Sequence, residues 1–385
     1  MRLIIDTRLL GRGGTTGVPG YTRDLIATLL KQYPENLYAL FYNSARPQNK
    51  LPEDWLRNPR VRVINRHIPN RLLSLVLRFF HKPTIETLIA GSMPSELLWI
   101  PHLDLLTTSK IPRVITVHDI SFLQYPEFFS KKYHLWSWLQ NQVAQIRSAQ
   151  HIIAVSEYTK HDLITELQIP PEKITVIHSG INPSFSQLSP SDPLLVAYAK
   201  RHALHKPFFL YLGTIESRKN IPLLIRAFDE YKQDSRWAAY ELVIAGRPGH
   251  GASEIERLAR ASSHHASIRF ISDVKDDERV ILYNLARCFV FPSFFEGFGF
   301  PPLEAQACGT PVIASNRTSL PEMLGNSALL IDPWNVSALA QLLCTIETDA
   351  KVRETIVRRG KENADRFTWQ RAAEKTMQVF KSVVQ

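Results

Sequence analysis

The feature that most constrains this chain is an unbroken alternation. Short apolar runs rich in β-branched and aromatic residues recur from end to end, separated by longer stretches of helical periodicity. In the first half, 3–6 (LIID), 38–42 (YALFY), 61–65 (VRVIN), 97–100 (LLWI), 114–118 (VITVH), 152–155 (IIAV) and 174–178 (ITVIH) read as strands. In the second half, 208–213 (FFLYLG), 241–246 (ELVIAG), 268–271 (IRFI), 288–293 (CFVFPS), 311–315 (PVIAS) and 328–332 (ALLID) do the same. Helical patterns fall between them, for example at 220–233, 276–287 and 335–346. Strands that are apolar at nearly every position are buried on both faces, which calls for parallel sheets with helices above and below.

The alternation breaks at 181–193 (INPSFSQLSPSDP), a Pro- and Ser-rich stretch with neither periodicity, which reads as a linker. The expected architecture is therefore α/β, with two Rossmann-like domains facing across a cleft. The first domain takes 1–185, the linker 186–205 and the second domain 206–367, and a C-terminal helix over 368–385 has the option of crossing back to the first domain. A length of 385 residues suits two domains. Ligands of such sheets bind outside the carboxyl ends of the strands, so the cleft is the expected site.

Composition narrows the class. Cys288, Cys308 and Cys344 are odd in number and not closely paired, which suits a reducing cytoplasm better than a disulfide scaffold or a zinc site. The opening MRLIIDTRLLGRGG has too short an apolar run for a signal peptide, and no stretch reaches the ~20 apolar residues of a membrane span. The net charge is +10, and Arg57–Lys82 holds seven Lys/Arg and no acid. Such a run attracts polyanions or an anionic membrane, although a solvated basic face explains the charge equally well. Within it, 70–82 (NRLLSLVLRFFHK) places Leu72, Leu75, Val76, Phe79 and Phe80 at helical spacing with Arg71, Arg78 and Lys82 among them. That pattern fits either an interfacial membrane helix or a helix packed on the first sheet.

Chemistry concentrates in the segment 296–304 (EGFGFPPLE), where two carboxylates bracket a glycine loop and a helix start. Pro301 and Pro302 suit first-turn positions, because the missing amide hydrogens would lack partners there. The remaining free amides, chiefly those of Phe300 and Leu303, make a weak anion site. Cations come from 210–224 (YLGTIESRKNIPLLI): after Gly213, Arg218 and Lys219 supply a fork and a point charge suited to a diphosphate. Basic pairs at helix starts are common surface features, but a cation there is unfavourable unless an anion joins it. Glu304 then suits a pair of vicinal hydroxyls and Glu296 a sugar beyond the phosphates. A paired-carboxylate hydrolase fits poorly, since the two acids would flank a phosphate and not a glycosidic bond.

With these motifs in place the chain resembles a family 4 glycosyltransferase of the two-domain GT-B type, over nearly its whole length. The segments EGFGFPPLEAQACGTPVIAS, GTIESRKN, TTGVPGYTRDL, VHDISFLQYPEFF, IIAVSEYTKHDL and VIHSGIN carry the resemblance. It implies a retaining hexosyltransferase of polysaccharide or lipid-linked saccharide synthesis, with no metal and no cofactor beyond the nucleotide-sugar co-substrate. Residue by residue, it implies that Arg218 and Lys219 neutralise the leaving diphosphate, Glu304 holds the donor ribose and Glu296 the transferred sugar. Gly17 would let backbone approach the phosphates or acceptor, and His118, beside Asp119, would sit at the reacting sugar. Gly213, Phe300 and Leu303 would border the donor, with Arg247 and Val274 near the base. Relatives often read Gly-Ile-Gly where this chain reads Gly-Val-Pro-Gly, so Pro19 stiffens that loop. UDP-glucose is the first expectation for the donor and GDP-mannose the second. A nucleotide-sugar epimerase on a similar fold, or a non-catalytic polyanion binder, is the alternative. Aromatic residues interleaved with basic ones, the mark of base stacking, are lacking, so nucleic acid is not expected as a partner. A cytoplasmic enzyme peripheral to the inner membrane face is the expected setting.

Overall fold

The computed structural model describes residues 1–12, 17–44, 51–89, 95–108, 110–272 and 274–385. Gly13, Gly14, Thr15 and Thr16 of the expected N-terminal glycine loop lie outside them. The chain divides into two compact units, Met1–Gly180 with Thr368–Gln385, and Ile181–Phe367.

In the first unit, β1 (Arg2–Asp6), β2 (Leu37–Phe41), β3 (Val61–Ile64), β4 (Leu97–Ile100), β5 (Arg113–Val117), β6 (His151–Ala154) and β7 (Ile174–Val176) form one sheet in the order β3-β2-β1-β4-β5-β6-β7. In the second, β8 (Phe208–Leu212), β9 (Glu241–Ala245), β10 (Ile268–Ile271), β11 (Cys288–Phe291), β12 (Val312–Ser315) and β13 (Leu329–Ile331) follow the order β10-β9-β8-β11-β12-β13. Every pairing between these strands is parallel. All thirteen expected strands are present, shifted at most two residues at either end. The central ones are buried at every position, as their apolar composition requires. Both sheets are doubly wound, with strand order reversing between β1 and β4 and between β8 and β11. Side chains carried on the loops after those strands converge there.

The stretch expected to be a linker is structured. Pro193–Arg201 is a helix, started by Pro193 and by the Asp192 carboxylate accepting from the Leu194 amide at 2.8 Å. Leu195 and Tyr198, three apart, give it a buried face. Upstream, Asn284 Oδ1 accepts from the Leu188 amide and its Nδ2 donates to the Ser186 carbonyl, so the whole stretch belongs to the second unit. A Pro-rich segment without long periodicity still makes a short helix when proline falls in its first turn.

The C-terminal helix Trp369–Val384 belongs to the first unit. The Thr368 hydroxyl caps it, and Trp369, Met377 and Phe380 are buried. The Phe380 ring lies 5.6 Å from Trp99 on β4, and Trp369 lies 5.7 Å from Tyr21. Gly180 is required where the chain leaves this unit, since a Cβ there would come within 2.2 Å of the Trp369 nitrogen.

Candidate active site

In the second unit the site begins where β8 ends. Gly213 leaves the strand and a single 3-10 turn, Ser217–Lys219, precedes the helix Ile221–Tyr231. Its carbonyl oxygen presses on Gly246, at the end of β9, so closely that a Cβ at Gly246 would lie 1.9 Å from it. Only glycine lets the two strand ends approach this way, and Gly246 also sits at φ 139°. Across the crossover, the loop after β11 runs to Gly299 at φ 99°, the N-cap of the helix Phe300–Ala307. That helix begins one residue before the position read from the prolines.

These two loops bring Arg218, Lys219 and Glu296 into one cluster. Lys219 Nζ donates to Glu296 Oε1 at 2.6 Å, and Arg218 Nη1 lies 3.3 Å from Oε2. The Ser293 hydroxyl donates to the same Oε1 at 2.7 Å, and the Glu296 amide donates to Thr318 Oγ1. Arg218 also binds the Phe295 carbonyl at 2.6 Å and the Glu216 carboxylate at 2.8 Å. Lys219 and Glu296 are both buried. Burial alone raises the Glu296 carboxyl, but Lys219 and Arg218 outweigh it and hold it below its ordinary value. Burial, then Arg218, pulls Lys219 down, against the opposing pull of Glu296.

Glu304 is held separately. Its Oε2 accepts from Arg279 Nη2 and, at 2.9 Å, from the Tyr283 hydroxyl, both on the helix Asp276–Leu285. Burial lowers Arg279, and Glu304 more than offsets that, leaving the guanidinium raised. Arg279 also lies over the Phe185 ring at 5.2 Å. The two carboxylates of EGFGFPPLE thus belong to two different ion clusters. Leu303 is fully buried, while Phe300 is half-buried with its ring 4.8 Å from Phe298. Arg247 follows β9, exposed, its carbonyl accepting from the Ile215 amide, and Val274 follows β10, half-buried.

The first unit carries the remaining expected residues. Gly17, at φ 64°, is the N-cap of the helix Val18–Gln32. His118 follows β5, with Nε2 2.9 Å from the Pro101 carbonyl and its ring edge-on to Tyr21 at 4.7 Å. Burial pushes its pKa down to about 4, with Pro101 and Asp119 opposing and His102 reinforcing. The ring is neutral at pH 7, and the carbonyl at Nε2 requires the proton there, leaving Nδ1 as acceptor.

Sequence reading missed a buried cluster at the crossover of this sheet. Arg8 pairs with Asp6 through Nη2–Oδ2 at 2.7 Å and Nε–Oδ1 at 2.9 Å. His102 Nε2 lies 3.5 Å from Asp6 and 3.4 Å from Asp104. Charged residues just after β1 and β4 were the available signal. Arg279, Tyr283, Glu216 and Ser293 carried none, because their pairings span distant elements.

Comparison with known proteins gives this geometry a family. Residues 16–185 match the family model described as Glycosyltransferase Family 4, and residues 198–363 match Glycosyl transferases group 1. O-antigen chain mannosyltransferase B of Escherichia coli is 32% identical over 269 residues, 70% of each chain. The chain belongs to glycosyltransferase family 4. The serotype-specific mannosyltransferase WbdA of Escherichia coli is 28% identical over 276 residues, 71% of this chain, which spans only 34% of WbdA. Among solved structures, sucrose-phosphate synthase from Thermosynechococcus elongatus superposes with a TM-score of 0.75 at 19% identity, covering 100% of this chain and 99% of that one. This family 4 glycosyltransferase has the GT-B fold. Its matched families and relatives are transferases, and nothing among them supports an epimerase.

Proposed function

We propose that this enzyme moves a hexosyl group, with retention at the anomeric carbon, from a nucleotide sugar to a saccharide or lipid-linked saccharide acceptor in polysaccharide synthesis. Mannose ranks first as the sugar, because the Escherichia coli relatives at 32% and 28% identity are named mannosyltransferases. GDP-mannose is therefore placed ahead of UDP-glucose, reversing the order expected from the sequence.

The observation that carries the reading is the Arg218–Lys219–Glu296 cluster at the β8/β11 crossover. Two cations in a buried setting stabilise a leaving diphosphate far more than they would in water. Arg218 and Lys219 take that role, as charges of the protein and not of a metal. Glu296, kept ionised by both, accepts from a hydroxyl of the transferred sugar through its remaining lone pairs. Glu304, whose Oε2 is occupied by Arg279 and Tyr283, presents Oε1 to the ribose hydroxyls. Gly213 and the amides of Phe300 and Leu303 border the phosphates, and Arg247 and Val274 the base. Gly17 permits close backbone approach, and His118 accepts at Nδ1 from a hydroxyl at the reacting sugar. The acceptor hydroxyl attacks from the face the diphosphate leaves, its proton passes to an oxygen of that leaving phosphate, and the protein contributes position and charge. For a lipid-linked acceptor the enzyme works at a membrane surface, through the segment 70–82.

Thermal-shift screening with UDP, GDP, ADP and their sugars tests the donor, followed by transfer and release assays with the best binder. At a hundredfold excess over Kd a ligand adds about 2.7 kcal/mol of stability, which is readily seen. GDP and GDP-mannose are expected to give the largest shifts. Larger shifts with UDP and UDP-glucose move the assignment to glucose, and no shift with any nucleotide defeats the donor reading.

A further inference from the structure

The helix Asn70–Phe80 does not bury the stripe that its sequence advertises. Leu73 and Leu77 enter the core of the first unit, while Leu72 (52% exposed), Leu75, Phe79 (60%) and Phe80 (72%) face solvent. A second helix, Lys131–Gln140, adds exposed Leu135 (67%) and Trp138 (52%). The two are locked together beneath this surface. Gln140 Nε2 donates to the Ser74 hydroxyl at 3.1 Å, and Gln140 Oε1 accepts from the Leu105 amide at 2.7 Å, all buried. Above them the Phe79 ring meets Trp138 at 6.3 Å, and the Arg78 guanidinium lies over Trp138 at 5.0 Å. The result is a preformed two-helix face with six large apolar side chains, more than scattered surface exposure accounts for.

Charge identifies what covers it. The first helix lies within 55–85 and the second within 128–156, and neither stretch contains a single Asp or Glu. Together they hold ten Lys/Arg: 57, 60, 62, 66, 71, 78 and 82 in one, and 131, 132 and 147 in the other. A second copy of this chain would set these cations against their own counterparts. An anionic bilayer satisfies both halves of the pattern, taking the apolar side chains at the headgroup boundary and the cations at its negative surface. Tryptophan with one apolar and one polar edge suits that depth. Among the described residues no helix is long and apolar enough to cross a membrane, so the contact is peripheral.

We infer that the faces of Asn70–Phe80 and Lys131–Gln140 form one docking surface for an anionic lipid membrane. The inference extends the lipid-linked acceptor reading by naming a second helix and the lipid charge, and it takes its support from this surface alone.

The test is co-sedimentation of the full chain with phosphatidylcholine vesicles, with and without phosphatidylglycerol, at low and high salt. Two variants accompany it: Phe79→Ser with Phe80→Ser, and Arg71→Glu with Lys132→Glu. The wild-type chain is expected to pellet with anionic vesicles at low salt, to stay free with neutral ones and to be released by salt. Each variant should lower the partition coefficient about tenfold or more, as loss of buried apolar area or of surface cations requires. The melting shift with the best nucleotide should be unchanged in both variants, so loss of membrane binding and failure of the donor reading are separately visible. Absent pelleting with both vesicle types at low salt overturns the inference, as does pelleting that neither variant reduces. A concentration-dependent dimer abolished by the phenylalanine variant, without vesicle binding, reassigns the face to contact between copies.

Discussion

Replacing Lys219 by Ala strips the Glu296 carboxylate of its shortest partner, the ammonium at 2.6 Å, and leaves it buried with Ser293 at 2.7 Å and Arg218 at 3.3 Å. Orphaning one member of a buried pair costs about 3–5 kcal/mol. The two surviving partners place this case at the lower end, about 3 kcal/mol. For a unit the size of Ile181–Phe367, each kcal/mol moves the melting temperature by about 2–4 °C, so the transition of that unit should fall by about 6–12 °C. Glu296→Gln removes the opposite charge, and the double variant should recover part of the loss, with a coupling of about 2 kcal/mol. Turnover behaves differently. It should fall by about 10²–10³ in Lys219→Ala and should not return in the double variant, since the diphosphate still lacks its cation. Calorimetric melts of the four proteins, with initial rates on the best donor, separate the two roles. Additive melting losses, within about 0.5 kcal/mol, would falsify the buried pair as a coupled unit. Turnover near that of the wild type in a folded Lys219→Ala protein would remove the leaving-group role.

Glu304→Gln and Arg279→Ala should each weaken binding of the free nucleoside diphosphate about tenfold, equivalent to about 1.4 kcal/mol. Glu296→Gln should leave that affinity nearly intact, and calorimetry showing equal losses for all three removes the separate ribose and sugar assignments. Gly246→Ala drives a Cβ into the Gly213 carbonyl and should yield an insoluble or strongly destabilised chain; a soluble protein with an unchanged melt contradicts the close approach of β8 and β9. His118 titrates at about 4 in the folded protein against about 6.5 when unfolded, so the unfolded chain takes up the proton first as pH falls. Its contribution to stability is therefore full above pH 6.5 and lost between 6.5 and 4, and kcat/KM should show no inflection between pH 6 and 7 that His118→Asn abolishes. Transfer should persist after extended treatment with EDTA, and its loss with recovery on adding a divalent cation would show that Arg218 and Lys219 do not suffice.

Much of the fold was legible because it depends on local pattern. Runs such as LLWI and IIAV are apolar at every position, and only a strand covered on both faces buries every side chain. The linker was misread for a local reason too, since Leu195 and Tyr198 give too short a period to stand out beside three prolines between 183 and 193. The site was legible in its residue types and not in its pairings. Lys219 and Glu296 lie 77 positions apart and meet only because β8 and β11 are neighbours across a crossover. Arg279 was invisible because nothing near it in the sequence announces that its helix will face Glu304.

The sequence by itself determined the alternation of elements, the loops that carry charge and the family to which those loops belong, since each depends on residues close together in the chain. Tertiary structure decided which charges share a cluster. It also decided the fate of Asn70–Phe80, whose apolar residues run nearly all round. Periodicity alone assigns Leu72, Leu75, Phe79 and Phe80 to the buried side as readily as Leu73 and Leu77. Only contact with the core, made by Leu73 and Leu77, leaves the others facing outward. A helix has one orientation in the fold, and its choice of face is settled by the neighbour against which it packs.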